Sequence, residues 1–133
     1  MSQQNYPNLF GLKAYAYNRL KDSINAILAF QEYFKRQNPD KLTSGDCKEY
    51  AKNLLKVPGN EAIAELIINR AVAIDTVELE KVNDCKIIAD YYVSKKNFKS
   101  AADWFSKIVT VKKAPTKFDI QTAAFNYYKS GAF

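Results

Sequence analysis

The feature that most constrains this chain is that its sequence repeats with a period of 35 to 38 residues. Small residues recur at successive steps of 37, 38 and 35 residues, namely Ala14, Ala51, Ala89 and Ala124. Large residues follow three positions later at the same steps, namely Tyr17, Leu54, Tyr92 and Tyr127. A third series, Phe10, Cys47, Cys85 and Ile120, has the same spacing. Such a period is typical of a stack of similar helical units rather than a plain bundle.

The apolar spacing predicts seven helices, and no stretch alternates with the period of two that a strand requires. The predicted ranges are 8–20, 24–36, 43–56, 61–73, 76–95, 98–111 and 117–130, with the first turns of 76–95 open to being loop. Predicted N-caps are Asp22 or Ser23, Thr43 with Asp46, Asn97, and Thr116 with Asp119. The nearly all-apolar fourth helix is expected to be well buried. Short turns join the helices, so neighbours in sequence should pack antiparallel.

Within the second helix of each predicted pair, a small and a large residue recur in the same way. These are Ala26, Ala64 and Ala101, followed by Phe30, Ile68 and Phe105. Alanine is expected where two helices approach closely, and the larger residue fills the gap beside it. Both helices of each pair therefore carry the repeat.

The stretch 90–105 (DYYVSKKNFKSAADWF) carries a Tyr, turn, aromatic, Ala and Phe series, and the ending 123–133 (AAFNYYKSGAF) carries the first part of such a series with a glycine in the turn. This series resembles the tetratricopeptide repeat (TPR), and the resemblance extends over about residues 7 to 133. It implies an all-α fold in which antiparallel helix pairs stack as a right-handed superhelix of about 3.5 repeats. The chain would be a single domain with repeats at 7–40, 41–75 and 76–115 and a half repeat at 116–133.

The sequence departs from the family pattern at several positions. Lys21 and Lys96 stand where the family has its turn glycine, and Lys13 stands where it has a leucine. Phe133 has the place of the aromatic residue that opens a second helix. From this we expect a fragment of a longer bacterial TPR protein, whose last helix leaves an apolar side uncovered and able to self-associate.

The resemblance also implies a partner-binding concave face lined by the first helix of each unit. Its residues in this chain are Tyr15, Asn18, Arg19, Lys48, Lys52, Lys56, Lys86, Asp90, Ser94, Gln121, Phe125, Tyr128 and Lys129. Independently of the family, Lys48, Lys52 and Lys56 follow one helical face at i, i+4 and i+8. Asp90 is the single acid in the set, so an acidic peptide would suit this face electrostatically. The Asn-and-Lys carboxylate clamp of some family members is not reproduced, because Tyr15 and Phe125 occupy two of the asparagine places.

Composition argues against catalysis and cofactors. The chain has no His, and Cys47 and Cys85 form neither a disulfide framework nor a metal-ligand set, so they are expected to be small buried residues. Asp103 and Glu32, the acids one could nominate, fall on ordinary solvent-facing positions. We therefore expect a non-enzymatic scaffold for a protein or peptide, with no metal, cofactor or small-molecule substrate.

Two alternative functions stay open. The net charge of +6 and pI near 9.2 would suit a nucleic-acid-binding helical repeat, although no base-reading pair recurs in each unit. The chain could also be the non-catalytic arm of a larger enzyme. The polar start carries no signal peptide, so the compartment is open between the cytoplasm and, for a trimmed chain, the bacterial periplasm or envelope.

Overall fold

The computed structural model describes residues 7–131, and Phe133 lies outside the described residues. Between residues 7 and 131 the chain forms seven α-helices and no strand. The helices are α1 (Pro7–Arg19), α2 (Ser23–Arg36), α3 (Ser44–Lys56), α4 (Glu61–Ile74), α5 (Glu78–Ser94), α6 (Phe98–Val111) and α7 (Lys117–Ser130). The predicted all-α class and the predicted number of helices are confirmed. The short 3-10 turn at Pro39–Lys41, capped by the Asn38 side chain, was not predicted.

Local side-chain chemistry explains most of the helix ends. Thr43 with Asp46 and Thr116 with Asp119 form complete capping boxes at the starts of α3 and α7. Asn97 accepts a hydrogen bond from the backbone N–H of Ser100 and so caps α6. These caps were predicted from the sequence, and the structure confirms them.

The chain divides into two compact units, and the boundary lies between Ile67 and Ile68 inside α4. In the first unit, α2 packs against both α1 and α3. The Phe30 ring is fully buried there, stacked on Tyr50 at 5.4 Å and edge-on to Tyr15 at 5.5 Å between ring centroids. Such ring contacts stabilise a fold beyond what the burial of apolar area alone supplies. These aromatic rings form the core of the first unit.

In the second unit, α6 packs against both α5 and α7. Its core contains the buried side chains of Ile88, Trp104 and Ile108. The Tyr127 hydroxyl joins α7 to α6 because it donates to Asp103 Oδ1 at 2.8 Å and accepts from Ser106 Oγ at 3.3 Å. The contact between α6 and α7 is therefore partly polar.

Most of the alanines that recur at the repeat spacing are buried. Six of them are completely buried, namely Ala14, Ala26, Ala51, Ala64, Ala89 and Ala101. Ala124, the last member of the series, is exposed, as is Ile120 four residues before it. The expected uncovered apolar side of α7 is thus present within the described residues.

Helix α4 is less buried than its composition suggested. Ala64, Ile68 and Ala71 form a completely buried stripe, but the Leu66 side chain is 69% exposed. The buried positions follow the helical period, so residues between them point to solvent even though they are apolar. The expectation of a well-buried helix was therefore wrong for that face of α4.

A residue with positive φ recurs in the turns that follow four of the helices. Lys21, Gly59, Lys96 and Gly131 all have positive φ, at 58°, 93°, 58° and 73°. At both lysines the residue's own N–H and the next N–H bond back to the preceding helix, as in Lys96 N to Val93 O at 3.0 Å and Asn97 N to Tyr92 O at 2.9 Å. These bonds hold a lysine in a left-handed conformation that glycine adopts at no steric cost.

We expect Lys21→Gly and Lys96→Gly to stabilise the fold by about 0.5–1 kcal/mol each, because left-handed strain outweighs the added flexibility of the unfolded chain. The matched controls are Gly59→Ala and Gly131→Ala, where a new Cβ meets no atom within 4 Å and only the backbone conformation is penalised. These should lose about 1 kcal/mol. Urea unfolding of the four variants measures the difference, and a loss of stability in both lysine variants would contradict the strain argument.

Candidate functional site

In the first unit, the predicted groove residues of α1 are engaged by α3. The Tyr15 hydroxyl donates to Asp46 Oδ1 at 2.6 Å, and Asn18 Nδ2 donates to Glu49 Oε2 at 2.7 Å. Arg19, the last residue of α1, is exposed. The structure therefore brings Tyr15 and Asn18 into the contact between two helices, where they help to fix the fold.

The lysine stripe of α3 is less basic than it looked in sequence. Lys48 is half-buried, while Lys52 and Lys56 are exposed. The Lys52 ammonium lies 3.7 Å from Glu49 Oε1, on the same carboxylate that accepts the Asn18 amide. The groove residues predicted from the sequence include no acid of α3. That set therefore overstated the positive charge of this surface.

Asp46 lies at the centre of the first unit's polar contacts, although it is almost completely buried. Besides the Tyr15 hydroxyl, its carboxylate accepts the Thr43 N–H at 3.0 Å and the Tyr33 hydroxyl at 3.4 Å. Burial, and then the hydrogen bond to the Asp46 carboxylate, raise the pKa of Tyr15 far above its ordinary value. Tyr15 is therefore a neutral donor over the whole range in which the protein is handled.

In the second unit, the predicted groove residues of α7 are open to solvent. The side chains of Phe125 and Tyr128 are 56% and 72% exposed. The Lys129 ammonium lies 4.8 Å from the ring centroids of both Phe125 and Phe98, a cation–π distance. The structure thus brings Phe125 and Lys129 together, with Tyr128 next to them on the same helix.

The predicted groove residues of α5 are placed differently. Lys86 lies at the rim of a cleft among α5, α6 and α7. Asp90 and Ser94 are exposed further along the helix, and the Ser94 hydroxyl donates to the Tyr91 carbonyl at 2.6 Å. Of the three, Lys86 is the residue that lines this cleft.

An ion pair closes one side of this cleft. The Lys112 ammonium lies 2.9 Å from both carboxylate oxygens of Asp119, which also accepts the Thr116 N–H at 2.7 Å. These bonds, that of Lys112 first, lower the pKa of the Asp119 carboxyl to about 2. Asp119 is therefore ionised, and its charge is matched within the second unit.

Sequence reasoning found Asp46 and Asp119 only as helix caps and did not select Asp84. The three aspartates stand at steps of 38 and 35 residues, the same steps as the alanine series. All three are buried or nearly so, and Asp84 is completely buried. The repeat spacing was the signal that could have identified this recurring acid.

Cys47 and Cys85 are buried thiols, as predicted, and burial, assisted by the nearby Asp84 charge, raises the pKa of Cys85 to about 11. In the part of the chain from residue 7 to 131, no three Cys, Asp or Glu side chains cluster in a way that could hold a metal ion. No helix in this range has both the length and the apolar character required to cross a membrane.

Comparisons with protein-family models, curated proteins and solved structures gave no match to this chain. The site is therefore interpreted from its own residues.

We expect Tyr15→Phe to destabilise the protein by about 1–3 kcal/mol, because it leaves the buried Asp46 carboxylate without its shortest hydrogen bond. Tyr33→Phe is the matched control, since its bond to Asp46 is long and therefore weak. Denaturant unfolding of the two variants compares the two bonds. A cost at Tyr33 equal to or larger than that at Tyr15 would contradict this ranking.

The contribution of Asp119 to the stability of the fold should decrease at low pH. Its folded-state pKa of about 2 lies below the ordinary aspartate value of 3.8, so its stabilising contribution is complete above about pH 4 and is lost as the pH falls towards 2. Lys112→Met should raise the Asp119 pKa and shift this loss to higher pH. Carboxyl carbon NMR titration measures the pKa directly, and an unchanged value in the variant would refute the role of Lys112.

Proposed function

We propose that this chain is a helical-repeat protein of the TPR type that binds a segment of a partner protein. The binding surface in the second unit is formed by the predicted groove residues of α7 together with Lys86 of α5. The right-handed superhelical stacking implied by the sequence resemblance is part of the same proposal. The chain acts as a scaffold and not as an enzyme.

The observation that carries the proposal is the exposed aromatic surface of α7. Phe118, Phe125 and Tyr128 are 74%, 56% and 72% exposed, within eleven residues of one helix. Aromatic side chains in exposed clusters mark interaction surfaces, because their burial against a partner supplies much of the binding free energy. A helix that serves only to close a fold would turn these rings inward.

The charge near this surface favours an acidic partner segment. Lys129 lies over the Phe125 ring, and Lys86 of α5 lines the nearby cleft. A carboxylate from the partner would meet these ammonium groups while an apolar side chain covers the rings. Complementary charge of this kind increases the rate of association and fixes the register of the bound segment.

Two features of the fold support the repeat architecture. The four positive-φ turn residues are separated by 38, 37 and 35 residues, close to the steps of the alanine series. The alanines at the predicted helix contacts are completely buried in all three full units. Turn geometry and helix packing therefore repeat together, as expected of units that descend from one motif.

The placement of the lysines favours a protein partner over nucleic acid. Several lie within 4 Å of a carboxylate, namely Lys52 at Glu49, Lys99 at Asp103 and Lys112 at Asp119. Nucleic-acid affinity depends on lysines that are free to replace the counterions of phosphates. These three ion pairs hold ammonium groups that would otherwise be available to phosphates.

Site-specific photocrosslinking tests the proposal. A photoreactive phenylalanine is placed at position 128 and, as the control, at Leu66, which is exposed to almost the same extent on α4. In extract of the source cells, the probe at position 128 should give a discrete adduct that the probe at position 66 does not. The Lys86→Glu, Lys129→Glu double variant should reduce this adduct by about tenfold, because it reverses the charge beside the rings.

Identical adducts from both positions would show nonspecific contact and would contradict the proposal. An adduct that contains only a second copy of this chain would contradict binding of a partner protein and show self-association through α7 instead. Mass spectrometry of the crosslinked peptide distinguishes these results, because it identifies both the partner and the segment that lies on α7.

A further inference from the structure

The cleft in the second unit has the size of a single side chain. It encloses about 90 Å³ among α5, α6 and α7, with Val82, Ile108 and Phe118 as apolar walls. Sites for small-molecule ligands usually have about 300–1,000 Å³. The cleft is therefore too small for a cofactor and suits one side chain of a larger partner.

The first unit shows what fills the corresponding place. Tyr33 stands 75 residues before Ile108, and Gly11 stands 75 residues before Lys86, so both pairs occupy the same repeat positions. The Tyr33 ring lies against Gly11, where an added Cβ would come within 3.1–3.3 Å of the ring atoms. In that unit, an aromatic ring of α2 fills the space beside α1 and reaches towards α3.

In the second unit this ring is missing. Ile108 is shorter than Tyr33, and the place of Gly11 is taken by Lys86, which lines the cleft. The aspartate at the far side, Asp119, stands at the repeat position of Asp46 but is matched by Lys112. A ring that enters from outside would meet apolar walls and no unmatched carboxylate.

Lys86 supplies the charge that selects the ligand. It is exposed, and within residues 7–131 its ammonium makes no hydrogen bond or ion pair. Lys112, the other ammonium at the cleft, is already bonded to Asp119. The free positive charge at the cleft is therefore that of Lys86, and it lies beside the apolar opening.

We propose that this cleft binds one aromatic side chain of an acidic peptide, with a neighbouring carboxylate of the peptide on the Lys86 ammonium. The entering ring takes the place that Tyr33 fills from within in the first unit. This inference rests on the proposed function and deepens it, because it names the ligand as a peptide with an aromatic residue flanked by acids.

The test is a methyl NMR titration of the full chain with capped peptides. The probe is acetyl-Asp-Glu-Phe-Glu-Asp-amide, and the controls replace Phe by Ala or all four acids by Lys. The Phe peptide should shift the methyl signals of Val82 and Ile108 to saturation. Both control peptides should bind at least about tenfold more weakly, because one loses the buried ring and the other meets Lys86 with like charge.

Variants of the protein locate the effect. Ile108→Tyr should fill the cleft as Tyr33 does and weaken binding of the Phe peptide by at least about tenfold, while Ile108→Val, which leaves the cleft open, should retain it. Lys86→Glu should weaken binding without altering the core, since its side chain is exposed. Thermal unfolding confirms that each variant is folded before its affinity is compared.

Several outcomes would overturn the proposal. Equal affinity of the Phe and Ala peptides would exclude an aromatic subsite, as would unchanged affinity in a folded Ile108→Tyr variant. Shifts confined to the methyl signals of Ile120 and Ala124 on α7 that persist in Ile108→Tyr would refute the cleft and leave the α7 surface, and so the proposed function, in place. No shift with any peptide would refute the cleft as a peptide site, while the crosslink at position 128 decides the proposed function separately.

Discussion

The first unit depends on the hydrogen bonds that the buried Asp46 carboxylate accepts. This carboxylate closes the capping box at the start of α3 and accepts hydrogen bonds from the hydroxyl groups of Tyr15 of α1 and Tyr33 of α2. A buried carboxylate is costly unless its oxygens are hydrogen-bonded, so the three helices must take the positions that supply these donors. The aromatic core around Phe30 can then close beside a polar contact that fixes its geometry.

The same repeat position has different partners in the second unit, and the surface changes with them. Asp119 is matched by Lys112 instead of by tyrosine hydroxyls, and Ile108 stands at the repeat position of Tyr33. An ammonium on a flexible stem satisfies the carboxylate without filling the space that an aromatic ring fills. The second unit therefore keeps its capping box at Thr116 and Asp119 but has a cleft at the repeat position where the Tyr33 ring lies against Gly11 in the first unit.

The sequence predicted features that depend on nearby residues and missed those that depend on distant ones. Helix ends at Thr43, Asn97 and Thr116 follow from side chains that reach backbone groups three residues away. The bond from Tyr15 to Asp46 joins residues 31 apart, and no local pattern specifies it. The exposure of Leu66 was missed for the same reason, because composition shows that a helix is apolar but not which face its neighbours cover.

The sequence predicted which residues form the candidate site, but not which of them are already bonded within the fold and which are exposed to a partner. Repeat positions selected Tyr15 and Phe125 as equivalents, yet Tyr15 is bonded to Asp46 whereas Phe125 is exposed beside Lys129. A side chain already held by its own fold must break that contact before it can bind a partner, and this cost lowers its value for recognition. The Phe125 ring is 56% exposed, so its burial against a partner would add to binding, and we expect stronger binding on the second unit's surface than on the first unit's lysine stripe.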